Sequence, residues 1–177
     1  MPGLDPVFHE LLQLRLIATL GTENADGTIH LTAVWFLFEE NSFYIATSSK
    51  TKKARNILAN HKASLMVDLR KPGTERGLTA ACKAELLSGD RSKPLNRRIH
   101  SRYLSAAAMA DPGIEPVFAS FDDVTIRLTP NPRLSGICPR STRKPLAGVW
   151  VELQVTCCRW IDRAERGLAP RRSSTSS

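Results

Sequence analysis

Hydroxyl and ammonium side chains crowd into seven consecutive residues, Thr47-Ser48-Ser49-Lys50-Thr51-Lys52-Lys53. An apolar strand pattern leads into them and a helical pattern leads out. The first N–H groups of a helix have no partner inside it, and its dipole is positive at that end. Hydroxyls, amines and free N–H groups at one helix start suit an anion, and phosphate above all. A charge-assisted hydrogen bond contributes about 1.5–3 kcal/mol. Several would hold a phosphate-bearing, nucleotide-like cofactor at roughly micromolar affinity, about −8 kcal/mol. The alternative is an ordinary solvated helix start with scattered lysines, and spacing alone leaves both open.

A second candidate surface is the preceding run Leu31-Thr32-Ala33-Val34-Trp35-Phe36. Side chains alternate along a strand, so Trp35 and Phe36 fall on opposite faces. One points into a core. The other, beside an anion pocket, would flank a planar ring or fill a subunit interface, unless both are core aromatics. The four histidines, His9, His30, His61 and His100, are scattered over different predicted elements and read as structural or surface residues. The cysteines Cys82, Cys138, Cys157 and Cys158 contain no C-x-x-C pair, which argues against zinc. Free thiols are expected, with Cys82 a small core residue.

The elements that must position these residues follow from periodicity. Residues 4–14 predict an amphipathic helix with Asp5 as N-cap and Pro6 in the first turn. Strands are predicted at Arg15–Gly21, His30–Phe38, Ser42–Ala46, Leu65–Leu69, Gly77–Leu87 and Val124–Leu128. Turns are expected at Asn24–Gly27 and Glu39–Asn41, so the first three strands read as a meander. Helices are predicted at Lys50–Ala59, with Ser49 as N-cap, and at Lys93–Ala108, carrying Leu95, Ile99, Tyr103 and Leu104 at helical spacing. Pro72-Gly73 breaks the chain between the fourth and fifth strands. Six strands with inserted helices predict a mainly-β α+β fold built on a small barrel.

At 177 residues the chain suffices for one sizeable core. No apolar run reaches the roughly 20 residues of a membrane span. The opening MPGLDPVFHE has no basic region followed by an apolar block, so a cytoplasmic protein is expected. The net charge of +8 raises the possibility of nucleic-acid binding. Its distribution argues against it: residues 133–177 hold 9 of the 25 basic and 3 of the 17 acidic residues. That tail is expected to be solvated and partly disordered rather than a binding arm. Residues 1–132 form the predicted domain. Within the tail, 148–161 (GVWVELQVTCCRWI) is a strand candidate without an evident pairing partner.

The chain from Leu12 to Pro130 resembles the pyridoxamine 5′-phosphate oxidase-like superfamily of flavin-binding split barrels, and within it the flavin/deazaflavin-dependent oxidoreductase branch. The resemblance rests on IATLGTENADGTIHLTAVWF, YIATSSKTKKARNILANHKASLMVD, the strand ending CKAEL, and DDVTIRLTP, collinear over about two thirds of the chain. It implies a six-stranded split β-barrel with flanking helices, paired as a homodimer with cofactor sites at the subunit interface. It maps the ring floor to Leu31, Thr32, Ala33, Val34, Trp35 and Phe36, and the end of the third strand to Ala46 and Thr47. Lys52 and Lys53 become the phosphate-binding pair, with Asn56 structural; the Ser48 and Ser49 hydroxyls join them on the residue reading above. The implied cofactor is FMN or the deazaflavin F-420, with haem binding a further branch. Arg55, Lys50 and Arg98 are candidates for the acidic tail of F-420.

Several positions depart from true pyridoxamine phosphate oxidases. Leu31 stands where they carry a phosphate-gripping arginine, Gly77 where they carry glutamine, and Cys82 replaces a glycine. Their C-terminal arginine and histidine motif has no match here, which argues against vitamin B6 oxidation. The expectation is therefore an oxidoreductase moving hydride between a flavin-type cofactor and a small organic acceptor. A non-catalytic cofactor-holding module and nucleic-acid binding through the tail are the alternatives.

Overall fold

In a computed structural model of the chain, residues 6–70, 76–109, 111–113 and 122–131 are described. Seven antiparallel strands form one sheet: β1 Ala18–Glu23, β2 Ile29–Val34, β3 Leu37–Glu39, β4 Ser42–Thr47, β5 Lys62–Leu69, β6 Arg76–Ser88 and β7 Val124–Pro130. The helices are α1 Pro6–Gln13, α2 Lys52–Asn60, α3 Ser92–Tyr103 and α4 Ala106–Met109. The architecture is mainly-β α+β, as expected.

The β1–β2 hairpin is set by local chemistry. The Asp26 carboxylate accepts from the Thr28 N–H (3.0 Å) and hydroxyl (2.6 Å), and Gly27 takes φ +80°, a conformation that favours glycine. Glu40 (φ 48°) and Asn41 (φ 56°) form the two-residue turn between β3 and β4.

The sheet order is β2-β1-β5-β6-β7-β4-β3. Its two edge strands, β2 and β3, are consecutive in the chain, with only Trp35 and Phe36 between them. Three Cα steps span at most about 11 Å, so the two edges must lie close and the sheet curls toward closure. This corrects the predicted single strand His30–Phe38. It breaks at Trp35-Phe36 because its first half pairs with β1 and its second with β4, on opposite edges of the sheet. Among the described residues, seven strands therefore stand where six were expected.

Period-2 alternation fills the interior. Leu78, Ala80, Cys82 and Ala84 of β6 are buried while Thr79, Ala81, Lys83 and Glu85 face out. Phe8, Leu11 and Leu12 of α1 join Leu20, Phe36, Phe43, Ile45, Leu65, Val67, Ile126 and Leu128 in the same core. A smaller cluster lies outside the sheet, where Ile99 of α3 packs with Tyr44 and Leu87, and Trp35, Leu37, Ala46 and Leu95 close around it.

Two predicted helix boundaries move. Thr51, not Ser49, is the N-cap of α2: its backbone is extended and its hydroxyl accepts from the Ala54 N–H at 3.4 Å. The predicted helix Lys93–Ala108 stops at Leu104, whose backbone is extended (φ −109°, ψ 142°). Ser105 then caps the short α4 through the Ala108 N–H at 3.2 Å. Asp5, Pro72-Gly73, Cys138, Cys157, Cys158 and the strand candidate at 148–161 lie outside the described residues.

Candidate functional site

Strand β4 ends at Thr47, and the chain turns through Ser48, Ser49 and Lys50 into α2. Thr47 and Ser48 are buried, so their polar atoms must find partners. The Thr51 hydroxyl donates to the Ser48 carbonyl (2.8 Å), which leaves the Thr47 hydroxyl as donor in its 3.0 Å contact with Thr51 Oγ1. The Ser48 hydroxyl accepts from the Lys50 N–H (3.3 Å). The Ser49 N–H donates to Asp122 Oδ1 and Oδ2 at 3.0 and 3.2 Å, and the Ser49 hydroxyl donates to the same carboxylate. Hydrogen bonds from Ser49 and Ser48 hold the Asp122 carboxyl down at about 2, well below its ordinary value. Of the hydroxyls predicted to meet an external anion, that of Ser49 thus already meets an internal one.

The remaining donors belong to the two lysines. The Lys52 and Lys53 N–H groups open α2 and have no acceptor within the helix. Lys53 is half-buried, and burial lowers its pKa; no carboxylate pairs with it among the described residues. Lys52 is exposed and lies close enough to Asp26 to lower that carboxyl further, after the larger effect of the Thr28 hydrogen bonds. Asn56, expected to be structural, donates to Thr22 Oγ1 (3.1 Å) and Asn24 Oδ1 (2.9 Å), tying α2 to the β1–β2 hairpin. Arg98 does not face the helix start with a free guanidinium; it pairs with Glu39 through both nitrogens.

The predicted ring floor divides by face. Ile29 and Leu31 are 61% and 66% exposed, Ala33 is exposed, and Val34 and Phe36 are buried in the main core. Strand β2 ends the sheet and pairs only with β1. Its outward-directed N–H and C=O groups therefore lack a strand partner among the described residues, as at any sheet edge. An open groove of about 760 Å³ runs beside it, lined by Thr19, Gly21, Leu31, Ser64, Met66 and Ala81 among others. Leu31 belongs to both floor and groove, whereas Thr47 to Lys53 do not line the groove.

Trp35 faces α3. Its indole stacks on Tyr103, centroids 5.2 Å apart and planes within 3°, so one aromatic face is already covered. The edge of His100 approaches it at 6.5 Å. Burial lowers the His100 pKa, partly opposed by Asp123. No group of three or more His, Cys, Asp or Glu residues fit for a metal occurs among the described residues. Sequence reasoning missed Asp122 and Tyr103. The first stands 73 positions from Ser49 and carries no local signal. The second was visible only as a helical apolar position.

A family model for pyridoxamine 5′-phosphate oxidase matches residues 4–130. The chain belongs to the pyridoxamine 5′-phosphate oxidase family. No curated protein matches it. Among solved structures it is similar to an F420 reductase, at 24% identity and TM-score 0.54 over 70% of this chain and 92% of that one. It is also similar to the heme storage protein HutZ from Vibrio cholerae (20%, TM-score 0.55, 76% and 92%). A FAD-binding protein from Mesorhizobium loti is a third neighbour (17%, TM-score 0.53, 72% and 91%). At such identities the likeness shows the fold.

Within the pyridoxamine 5′-phosphate oxidase family, the departures noted above acquire structural reasons. A Cβ at Gly77 would lie 3.2 Å from Asp68 Cβ and 3.3 Å from the Val67 carbonyl oxygen, so glutamine there requires β5 to yield. Cys82 points into the core, and burial pushes its thiol up to about 12. Its side chain is thus a packing group, not a reactive one.

Proposed function

We propose that this chain is an oxidoreductase that moves hydride between a bound flavin-type cofactor, FMN or the deazaflavin F-420, and a small organic acceptor. The observation that carries the reading is Lys53: a half-buried ammonium at the first turn of α2 with no carboxylate partner among the described residues. Burying an unpaired charge is unfavourable, and a phosphate would supply the missing counter-charge. The residues fit such a group. Lys53 and Lys52 would hold the phosphate, joined by their free helix-start N–H groups.

The unpaired edge of β2 would hydrogen-bond the ring, with Leu31 and Ala33 on its exposed face and the backbone of Thr32 to Phe36 along its floor. Ala46 and Thr47 would lie where the third predicted strand ends. When bound, the cofactor supplies the hydride chemistry itself; the chain binds, orients and shields it. The four histidines and Cys82 have no part in it.

The exposed Ile29 and Leu31 lie on the face where a second copy would pack, closing the groove and giving a homodimer with cofactor at the interface. The domain would span residues 1–132, with 133–177 a basic tail whose nucleic-acid binding we do not favour. Among the described residues no helix is long and apolar enough to cross a membrane, which accords with a cytoplasmic setting.

Release of the bound small molecule from purified protein, identified by mass and absorbance, tests the reading: FMN or F-420 is expected. Protein purified repeatedly without either, and binding neither on titration, would overturn it. The similarity to a heme storage protein keeps a second reading, a cofactor-holding module without turnover. Steady consumption of reduced cofactor with an added acceptor separates the two.

A further inference from the structure

The donors at the β4–α2 turn are not idle. Asp122 accepts from the Ser49 N–H (3.0 and 3.2 Å) and the Ser49 hydroxyl. A carboxylate and a phosphate oxygen ask for the same partners: N–H and O–H donors in a convergent set. The carboxylate here is itself exposed, so no packing demands that it stay. Its contacts are with Ser49, three residues before α2 in the chain, where the Lys52 and Lys53 N–H groups follow. Two anions cannot share those donors, and like charges at close range repel.

We propose that Asp122 is an internal competitor for the phosphate site: its carboxylate holds the Ser49 N–H and hydroxyl and must swing off them for a phosphate-bearing cofactor to bind. The inference rests on the phosphate reading of this turn. A single side-chain rotation suffices, with no rearrangement of the sheet. By holding the Ser49 N–H and hydroxyl, the carboxylate fixes the shape of the turn into α2. It also taxes binding. An apparent dissociation constant exceeds the intrinsic one by the inverse of the fraction of molecules whose donors are free. Weak anions that reach the lysines without displacing Asp122 would lack the serine hydrogen bonds, so the site selects for ligands that bring further contacts of their own, as a ring on β2 would.

The test is titration of full-length wild-type, Asp122→Asn, Asp122→Ala and Lys53→Ala proteins with FMN and, in a second series, F-420, read by cofactor fluorescence. Tighter binding by both Asp122 variants, about fivefold or more, is expected from release of the competitor, with weaker binding by Lys53→Ala. Weaker binding by Lys53→Ala together with unchanged or weakened binding by the Asp122 variants would overturn the competitor while sparing the phosphate site. Unchanged binding by Lys53→Ala would remove the phosphate site and this inference with it. Should the Asp122 variants fail to fold, the wild-type protein still decides. The side-chain carboxyl carbon resonance of Asp122 should move toward that of a free carboxylate on saturation with the cofactor, and an unmoved resonance overturns the proposal.

Discussion

Tyr103 holds Trp35 face to face, ring centroids 5.2 Å apart, at the two-residue break where the chain crosses from one edge of the sheet to the other. The same phenol donates to the Leu16 carbonyl at 2.7 Å and lies 3.4 Å from the Phe36 N–H. One side chain on α3 therefore serves the backbone of the β2–β3 break and the segment before β1. Tyr103→Phe keeps the stack and loses the hydroxyl, for an expected loss of about 1 kcal/mol. Tyr103→Ala loses both, for about 3–5 kcal/mol. Urea denaturation followed by tryptophan fluorescence measures the two; equal effects would show that the stack contributes nothing.

Lys53 should behave differently in stability and in binding. Burial lowers its pKa below the ordinary 10.5, so the unfolded chain holds the proton more tightly than the folded one. The penalty is fully present at neutral pH and is relieved as pH rises through the folded pKa toward the unfolded value. Lys53→Met should therefore be more stable than wild type at pH 7, with a gap that closes on approaching pH 10.5. Binding of the phosphate-bearing cofactor should weaken by about 1–3 kcal/mol in the same variant. Parallel denaturation and titration series check both.

The Asp122 latch has the opposite pH signature. Its folded pKa is about 2 against an ordinary 3.8. The stability it contributes is present above the unfolded value and is lost as pH falls through about 2. The difference in melting temperature between wild type and Asp122→Asn should thus be constant from pH 7 to about 4.5 and shrink below it. A difference that grows on acidification would contradict the hydrogen-bonding pattern at Ser48 and Ser49.

Leu31, two-thirds exposed on edge strand β2, tests the paired state. Leu31→Glu should leave the fold intact, since no core contact is lost. It should shift the protein from dimer to monomer in light scattering and reduce cofactor binding with it. A monomeric wild-type protein that binds cofactor fully would refute the interface.

Cys82 and Arg98 provide contrasting controls. With the thiol buried and raised to about 12, Cys82 should react with a thiol reagent only after denaturant is added, measured in a protein whose Cys138, Cys157 and Cys158 are serine. Arg98→Ala breaks an exposed pair with Glu39 and should change stability by less than about 1 kcal/mol, with cofactor affinity untouched.

Much of the barrel was legible because its signals are local. The Asp-Gly turn, the alternation of β6 and β7, and the apolar spacing of Leu95, Ile99 and Tyr103 each point to one structure. The break at Trp35-Phe36 was not legible, because apolar residues run through it without a glycine or proline; pairing partners far along the chain impose it. The cap of α2 was misplaced for a similar reason. Ser49 has the chemistry of a cap, but α2 begins at Lys52 and Thr51 accepts from the Ala54 N–H, while Ser49 turns to Asp122, 73 positions away. The lysines of the candidate site were plain in the sequence. Whether their neighbours were free could be learned only from the folded arrangement.

Strand β7 lies between β6 and β4, yet of the described strands it is the last to be made. During synthesis from the N-terminus, Phe43 to Thr47 and Cys82 to Ser88 must wait for it with exposed backbone on their facing sides. The nascent chain thus passes through a stage in which two sheet margins invite foreign strands. Arrival of residues 124–130 closes both margins at once, by pairing with β4 on one side and β6 on the other.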